Sequence, residues 1–237
     1  MVPESAPYFL NQLIDCVDLR CYTPVTIETR RMAHTPPHKR ESSEDRRQAI
    51  ARAACALIVE KGMEGLRTRD IADRVGINVA TLHYHVPTKE ALVGLVTESM
   101  RTEFRAQSQL RPRDHLTPRE RLEHEFFDFH EMFSQKLEVL AVMSELLERG
   151  RRDPTVRGAV QPMMARWREM MADILRAGRE DGSFRADLDP EPAAQMVIGA
   201  LVGFGRVADT SSADYERLCA ELRRAVANPN VAKDTAQ

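Results

Sequence analysis

Thr68-Arg69-Asp70-Ile71-Ala72-Asp73-Arg74-Val75-Gly76-Ile77-Asn78-Val79-Ala80-Thr81-Leu82-His83-Tyr84-His85 is the stretch on which the fold turns. Thr68 can cap a short helix whose apolar side is Ile71, Ala72 and Val75. Gly76 supplies the left-handed residue that stops it. Asn78 can cap a second short helix, which buries Leu82. Two short helices joined by a tight glycine-containing turn form a helix-turn-helix. With Leu82 inward, Val79, Ala80, Thr81 and Tyr84 face outward. Small and hydroxyl side chains there suit base edges and thymine methyls. Arg69, at the start of the first short helix, can reach a phosphate or a guanine edge. Composition alone would favour two packed helices in an ordinary bundle.

The flanks agree with a small reading head. Upstream, Ser42 or Ser43 caps a helix running from about Glu44 to Lys61, with Ile50, Ala54, Leu57 and Ile58 on one stripe and Lys61-Gly62 at its end. Downstream, Pro87 ends the second short helix and Thr88 caps a long one with Leu92, Leu95, Val96 and Phe104 inward. Lys89 sits at the head of that helix, where free N–H groups and a cation together favour a phosphate.

From about Thr117 the spacing predicts longer helices. Leu122, Phe126, Phe129 and Phe133 form one stripe, and Leu137, Leu140, Met143 and Leu147 the next. Asp153-Pro154 opens a third region striped by Val160, Met164, Trp167, Met171 and Ile174, flanked by Met163 and Met170. Pro162 is expected to kink or restart it. Asp189-Pro190 opens a helix to about Val207 that carries Ala194, Val197, Ile198, Leu201 and Val202. A last helix shows Tyr215, Leu218, Cys219, Leu222 and Val226.

The 237 residues include 34 Lys and Arg against 36 Asp and Glu, a net charge of −2. That excludes a strongly basic coat protein and an acidic tail protein, but leaves room for one basic face. Aromatic residues are 5 % and spacings of three and four dominate, so the expected class is all-α. Residues 1–40 hold five of the 13 prolines and no sustained periodicity; they are expected to be a disordered or loosely attached extension. Met32 offers an alternative start, so residues 1–31 are either an accessory arm or no part of the native chain. No signal peptide or membrane span is read, and a cytoplasmic location is expected. Cys16, Cys21, Cys55 and Cys219 make no CxxC pair, so neither a zinc knuckle nor a disulfide framework is implied.

Residues 46–96 resemble the DNA-binding domain of TetR-family transcriptional regulators. The match is the ordered set Gly62, Thr68, Ile71-Ala72, Gly76-Ile77, Thr81-Leu82, Tyr84-His85-Val86-Pro87 and Lys89-Glu90-Ala91-Leu92. The remaining C-terminal residues fit the family only in length and helical character. The resemblance implies a three-helix DNA-binding domain over 41–96 and a helical domain over 97–230 for ligand binding and dimerisation. It implies a bacterial, homodimeric repressor, not an enzyme, with double-stranded operator DNA and a small-molecule effector as partners and no cofactor.

Carried over residue by residue, Arg69 and Thr81 are base or phosphate contacts and Lys89 is a phosphate contact. His83 stands where the family usually has a tyrosine that meets the DNA backbone. Imidazole can donate a similar hydrogen bond, more strongly when protonated. The candidate DNA surface is Thr68, Arg69, Asn78, Val79, Ala80, Thr81, His83, Tyr84, His85 and Lys89. No metal site is expected: residues two apart on a helix, as His83 and His85 are, point roughly 200° apart.

The effector site is expected among the third-region helix and the two before it, at Phe126, Phe129, His130, Phe133, Met143, Met163, Trp167 and Met171. Five large apolar residues lie within Met163 to Met171, more than one helix seam consumes. Met-rich surfaces adapt to varied ligands, so an apolar or aromatic effector is expected. His124 and His130 beside the phenylalanine stripe are read as core or surface histidines, or as ligand contacts. Gly199 and Gly203, four apart, let another helix approach closely, either inside the chain or from a second copy. The last two helices are expected to make the dimer contact. The different-class alternatives are an enzyme, for which no catalytic motif is present, and a DNA-binding regulator without an effector, acting as an activator or under a protein partner.

Overall fold

The computed structural model describes residues 42–113, 115–206 and 211–229. The expected extension over 1–40 lies outside them, as does the predicted end of the eighth helix at Val207. Among the described residues the architecture is helical: α1 Ser43–Lys61, a 3-10 turn Met63–Gly65, α2 Thr68–Val75, α3 Val79–His85, α4 Lys89–Gln109, α5 Pro118–Gln135, α6 Leu137–Gly150, α7 Pro154–Glu180, α8 Pro190–Phe204 and α9 Ser212–Val226.

Local chemistry sets most of the boundaries. Capping boxes open α1 (Ser42 with Asp45), α5 (Thr117 with Glu120) and α9 (Ser211 with Asp214), each satisfying two backbone N–H groups that would otherwise be unpaired. Thr88 caps α4 and Asp153 caps α7. Prolines occupy the first turns of α5, α7 and α8, where no donor is lost. Pro162 does not restart α7, which runs unbroken through it with the ring on the exposed side.

Two hydrophobic cores form. The first joins α5, α7, α8 and α9 through residues such as Phe126, Met171, Leu175, Val197, Leu201, Tyr215 and Leu222. The second gathers Ile50, Leu57, Ile71, Leu82 and Val96 of α1–α4, and Met143, Leu146, Val156 and Val160 of α6 and α7. The reading head therefore shares its core with the start of the larger part.

At the far end of α7, Gly182 turns the chain with φ 80°. Phe184 then folds back onto Gly178, so close that a Cβ there would fall 2.1 Å from the ring. The Arg185 N–H donates to the Val226 carbonyl, and the Asn228 side chain donates to the Gly182 carbonyl. This turn fastens the end of α9 to the end of α7.

The α8 helix buries Ala194, Val197, Ile198, Leu201 and Phe204 inward. Its outer side carries Pro192, Met196, Gly199 and Gly203 at spacings of four, three and four. A Cβ on either glycine would meet nothing within 4 Å among the described residues, so neither serves packing between them. The apolar side of α9 (Tyr215, Cys219, Leu222 and Val226) is buried in the chain's own core, and its outer side is charged. The apolar side of α9, expected at the dimer contact, is thus largely consumed within one copy.

Candidate nucleic-acid interface

The reading head is braced from behind. On the α1 side, Arg74 pairs with Glu60 through both guanidinium ends at 2.7 Å, and Lys61 donates to Asp70 at 2.6 Å. Gly76 takes the left-handed conformation (φ 73°, ψ 35°), and the Ile77 N–H closes the turn onto the Ala72 carbonyl at 3.0 Å. The α3 helix then starts from Asn78, whose side chain accepts the Thr81 N–H at 2.7 Å. It stops at Val86 and is pinned by Leu82, which is 1 % exposed.

Of the residues expected on the DNA surface, Thr68, Arg69, Asn78, Ala80, His83, Tyr84 and Lys89 are exposed, and Thr81 and His85 half-buried. Tyr84, at 83 % exposed, stands edge-on to the His85 ring. Val79 departs from expectation: it is half-buried and packs on the reading-head core, because the first turn of α3 leans against that core. Thr68 is the first residue of α2 and not its cap; Arg67 takes that position without a side-chain bond. Arg69 has no ion-pair partner among the described residues.

Four contacts of the reading head were not legible in the sequence. Arg47 of α1 donates to the His85 carbonyl at 3.0 Å, satisfying the last turn of α3 and fixing its angle. Lys89 is 2.9 Å from Asp153, just ahead of α7. Glu145, Arg149 and Asp153, spaced by four, all reach the head: Glu145 accepts the Met63 N–H at 3.1 Å, Arg149 pairs with Glu64, and Asp153 takes Lys89.

The residues expected at the effector site divide between the cores. Phe126, Phe129 and Met171 are buried in the first core, with Phe133 and Trp167 packed on it. Met143 belongs to the second and Met163 packs on it, while Met164 touches both. Phe129 lies between Trp167 and Tyr215, its ring nearly parallel to both at 6.3 and 6.1 Å. The Trp167 Nε1–H donates to Glu125 at 3.1 Å. Arg113 meets the same carboxylate, yet burial still pushes the Glu125 carboxyl above its ordinary range. The Tyr215 hydroxyl donates to the Phe126 carbonyl at 2.6 Å. His130 is 3.2 Å from the Ser212 hydroxyl and lines an open cleft of about 450 Å³ between α5 and α9. Phe126, Phe127, Tyr215, Arg111 and Arg223 also line that cleft. Among the described residues no group of three or more His, Cys, Asp or Glu side chains is placed to hold a metal ion. Among the described residues no helix is long and apolar enough to cross a membrane.

Comparison with known proteins agrees with this architecture. Residues 50–96 match the family model described as bacterial regulatory proteins, tetR family, and residues 141–226 match the tetracyclin repressor-like C-terminal domain. The HTH-type transcriptional repressor KstR2 of Rhodococcus jostii is 26 % identical over 165 residues, covering 69 % of this chain and 80 % of that protein. The class C tetracycline repressor of Escherichia coli is 41 % identical over 56 residues, covering 24 % of this chain and 26 % of that one. A transcriptional regulator from Saccharomonospora viridis, solved in complex with choline, superposes with a TM-score of 0.66 at 23 % identity, covering 76 % of this chain and 95 % of that one. With the helix-turn-helix in place and both parts of the chain matched, the protein belongs to the TetR family of transcriptional regulators.

Proposed function

We propose that the protein is a homodimeric repressor released from its operator by a small apolar or aromatic effector. The observation that carries the DNA half is a helix-turn-helix whose Arg69, Ala80, His83 and Tyr84, with Lys89 just beyond it, are all exposed while Leu82 is buried. Residues 41–96 form the reading head, and residues 97–230 hold the effector and the second copy. Arg69 supplies the strongest hydrogen-bonding group for a base edge, Ala80 the space for a thymine methyl, and His83 and Tyr84 donors for the backbone.

Arg69→Ala is expected to weaken operator binding about 10-fold and to relax specificity at one base pair. Lys89→Ala is expected to weaken binding to all sequences alike and to make the log–log salt slope shallower by up to about one unit. Titrations of an operator and a scrambled duplex at several salt concentrations read both effects.

The effector enters where the two cores meet. Met164 touches both cores there, Trp167 is half-buried, and the unbranched Met163 and Met143 can re-pack. An effector in that place perturbs Trp167 emission, which is unambiguous because the chain has one tryptophan. The same compound lowers DNA affinity, and DNA lowers its affinity by the same factor. A compound that releases DNA with no change in Trp167 emission places the effector elsewhere, with the α5–α9 cleft the next candidate.

The close packing of Phe126, Phe129, Tyr215 and Met171 favours a second reading, a regulator with no small-molecule effector, acting as an activator or under a protein partner. Under that reading no small molecule both alters the emission and releases DNA.

A further inference from the structure

Lys89, read above as a phosphate contact, is engaged by a carboxylate from the other part of the chain: its Nζ is 2.9 Å from Asp153 Oδ2. The two partners are unequally held. The Lys89 side chain is 54 % exposed, on a flexible stem at the first residue of α4. The Asp153 side chain is 15 % exposed and fixed from two further directions. Its Oδ1 accepts the Thr155 N–H at 3.1 Å as the cap of α7, and its Oδ2 faces Arg149 Nε at 3.4 Å. The hydrogen bond from Lys89 holds the Asp153 carboxyl down at about 2, so it is fully ionised at neutral pH.

A carboxylate oxygen and a phosphate oxygen offer an ammonium the same thing, an anionic acceptor at hydrogen-bond distance. We propose that Asp153 sets the protein's affinity for DNA by competing with a backbone phosphate for Lys89. The proposal rests on the DNA-binding reading and adds to it a residue of the larger part, outside the reading head. Arg149 makes the exchange feasible: it keeps Asp153 partnered when Lys89 leaves, so no part-buried charge is stranded. Once Lys89 has moved to DNA, the vacated side of Asp153 attracts a solution cation. That uptake offsets part of the counterion release that drives DNA binding.

Asp153→Asn tests this, because asparagine caps a helix as well as aspartate does and α7 keeps its start. Asp153→Ser, also a capping residue without a charge, is the second variant if the first is unstable. The probe is a mixed-sequence duplex of about three helical turns, titrated by anisotropy with the full chain at several salt concentrations. Expected is binding about fivefold tighter than the parent, with a salt slope steeper by less than about one unit. In a Lys89→Ala background the same substitution is expected to change neither quantity. Unchanged or weaker binding by both variants, while the parent binds, overturns the competition and leaves the DNA-binding reading intact. An equal gain with and without Lys89 also overturns it, since Asp153 would then act only as a diffuse negative charge. A parent protein that does not bind the duplex even at low salt overturns both readings.

Discussion

Replacing Gly199 with arginine is expected to leave a folded monomer and to remove specific DNA binding. The outer stripe of α8 (Pro192, Met196, Gly199 and Gly203) has no partner among the described residues, and the two glycines leave the helix backbone bare. A second copy crossing there would approach at backbone distance, and an arginine at its centre would both block the approach and bury a charge without a partner. Gly199 is exposed and a Cβ there meets nothing within 4 Å among the described residues, so an arginine can extend outward from a single copy without disturbing the fold. A monomer has one reading head instead of two. Operator affinity should then fall to the non-specific level, a loss of about 10³-fold or more. Light scattering reads the mass and anisotropy the affinity; a dimeric Gly199→Arg protein with unchanged operator binding would place the interface elsewhere. Leu201 and Leu222 are unsuitable for this test, because both are buried in the chain's own core.

The largest stability effect is expected at Phe184. Its side chain is 2 % exposed and lies against Gly178, where no other residue leaves room for the ring. Phe184→Ala removes the ring from a site walled by helix backbone that cannot collapse inward, for a loss of about 3–5 kcal/mol and a fall in Tm of about 10 °C. Gly178→Ala attacks the same contact from the other side. The added methyl overlaps the ring, for a cost of about 1–3 kcal/mol by overpacking. Thermal unfolding followed by circular dichroism compares the two. Equal Tm for all three proteins would contradict the packing described for this turn.

What the sequence made legible was local. The caps Ser42, Asn78 and Thr88, the left-handed Gly76, and the prolines opening α7 and α8 each act within one turn of their own position. The apolar stripes gave the helices and the buried Leu82, because a period of about 3.6 is itself a local property. The contacts that escaped join positions that no helical repeat links: Gly178 under Phe184 across the turn after α7, and, far apart in the chain, Arg47 on the His85 carbonyl and Lys89 on Asp153. No periodicity carries them. The methionine-rich stretch is instructive for the same reason. One helix stripe runs past two cores, and spacing along α7 could not reveal that Met163 and Met171 serve different ones. Val79 likewise lay at a position that the pattern turned outward and the tilt of α3 turned partly inward.

Footprinting of the purified protein on genomic DNA fragments shows directly whether two reading heads bind one operator. Expected are protected sites with two-fold symmetry and half-sites about one helical turn, 34–36 Å, apart, which with Arg69→Ala appear only at about 10-fold higher protein concentration. Protection that lacks symmetry, or that is indifferent to Arg69, would contradict a paired reading head, and absence of any protected site at moderate salt would contradict the repressor reading itself.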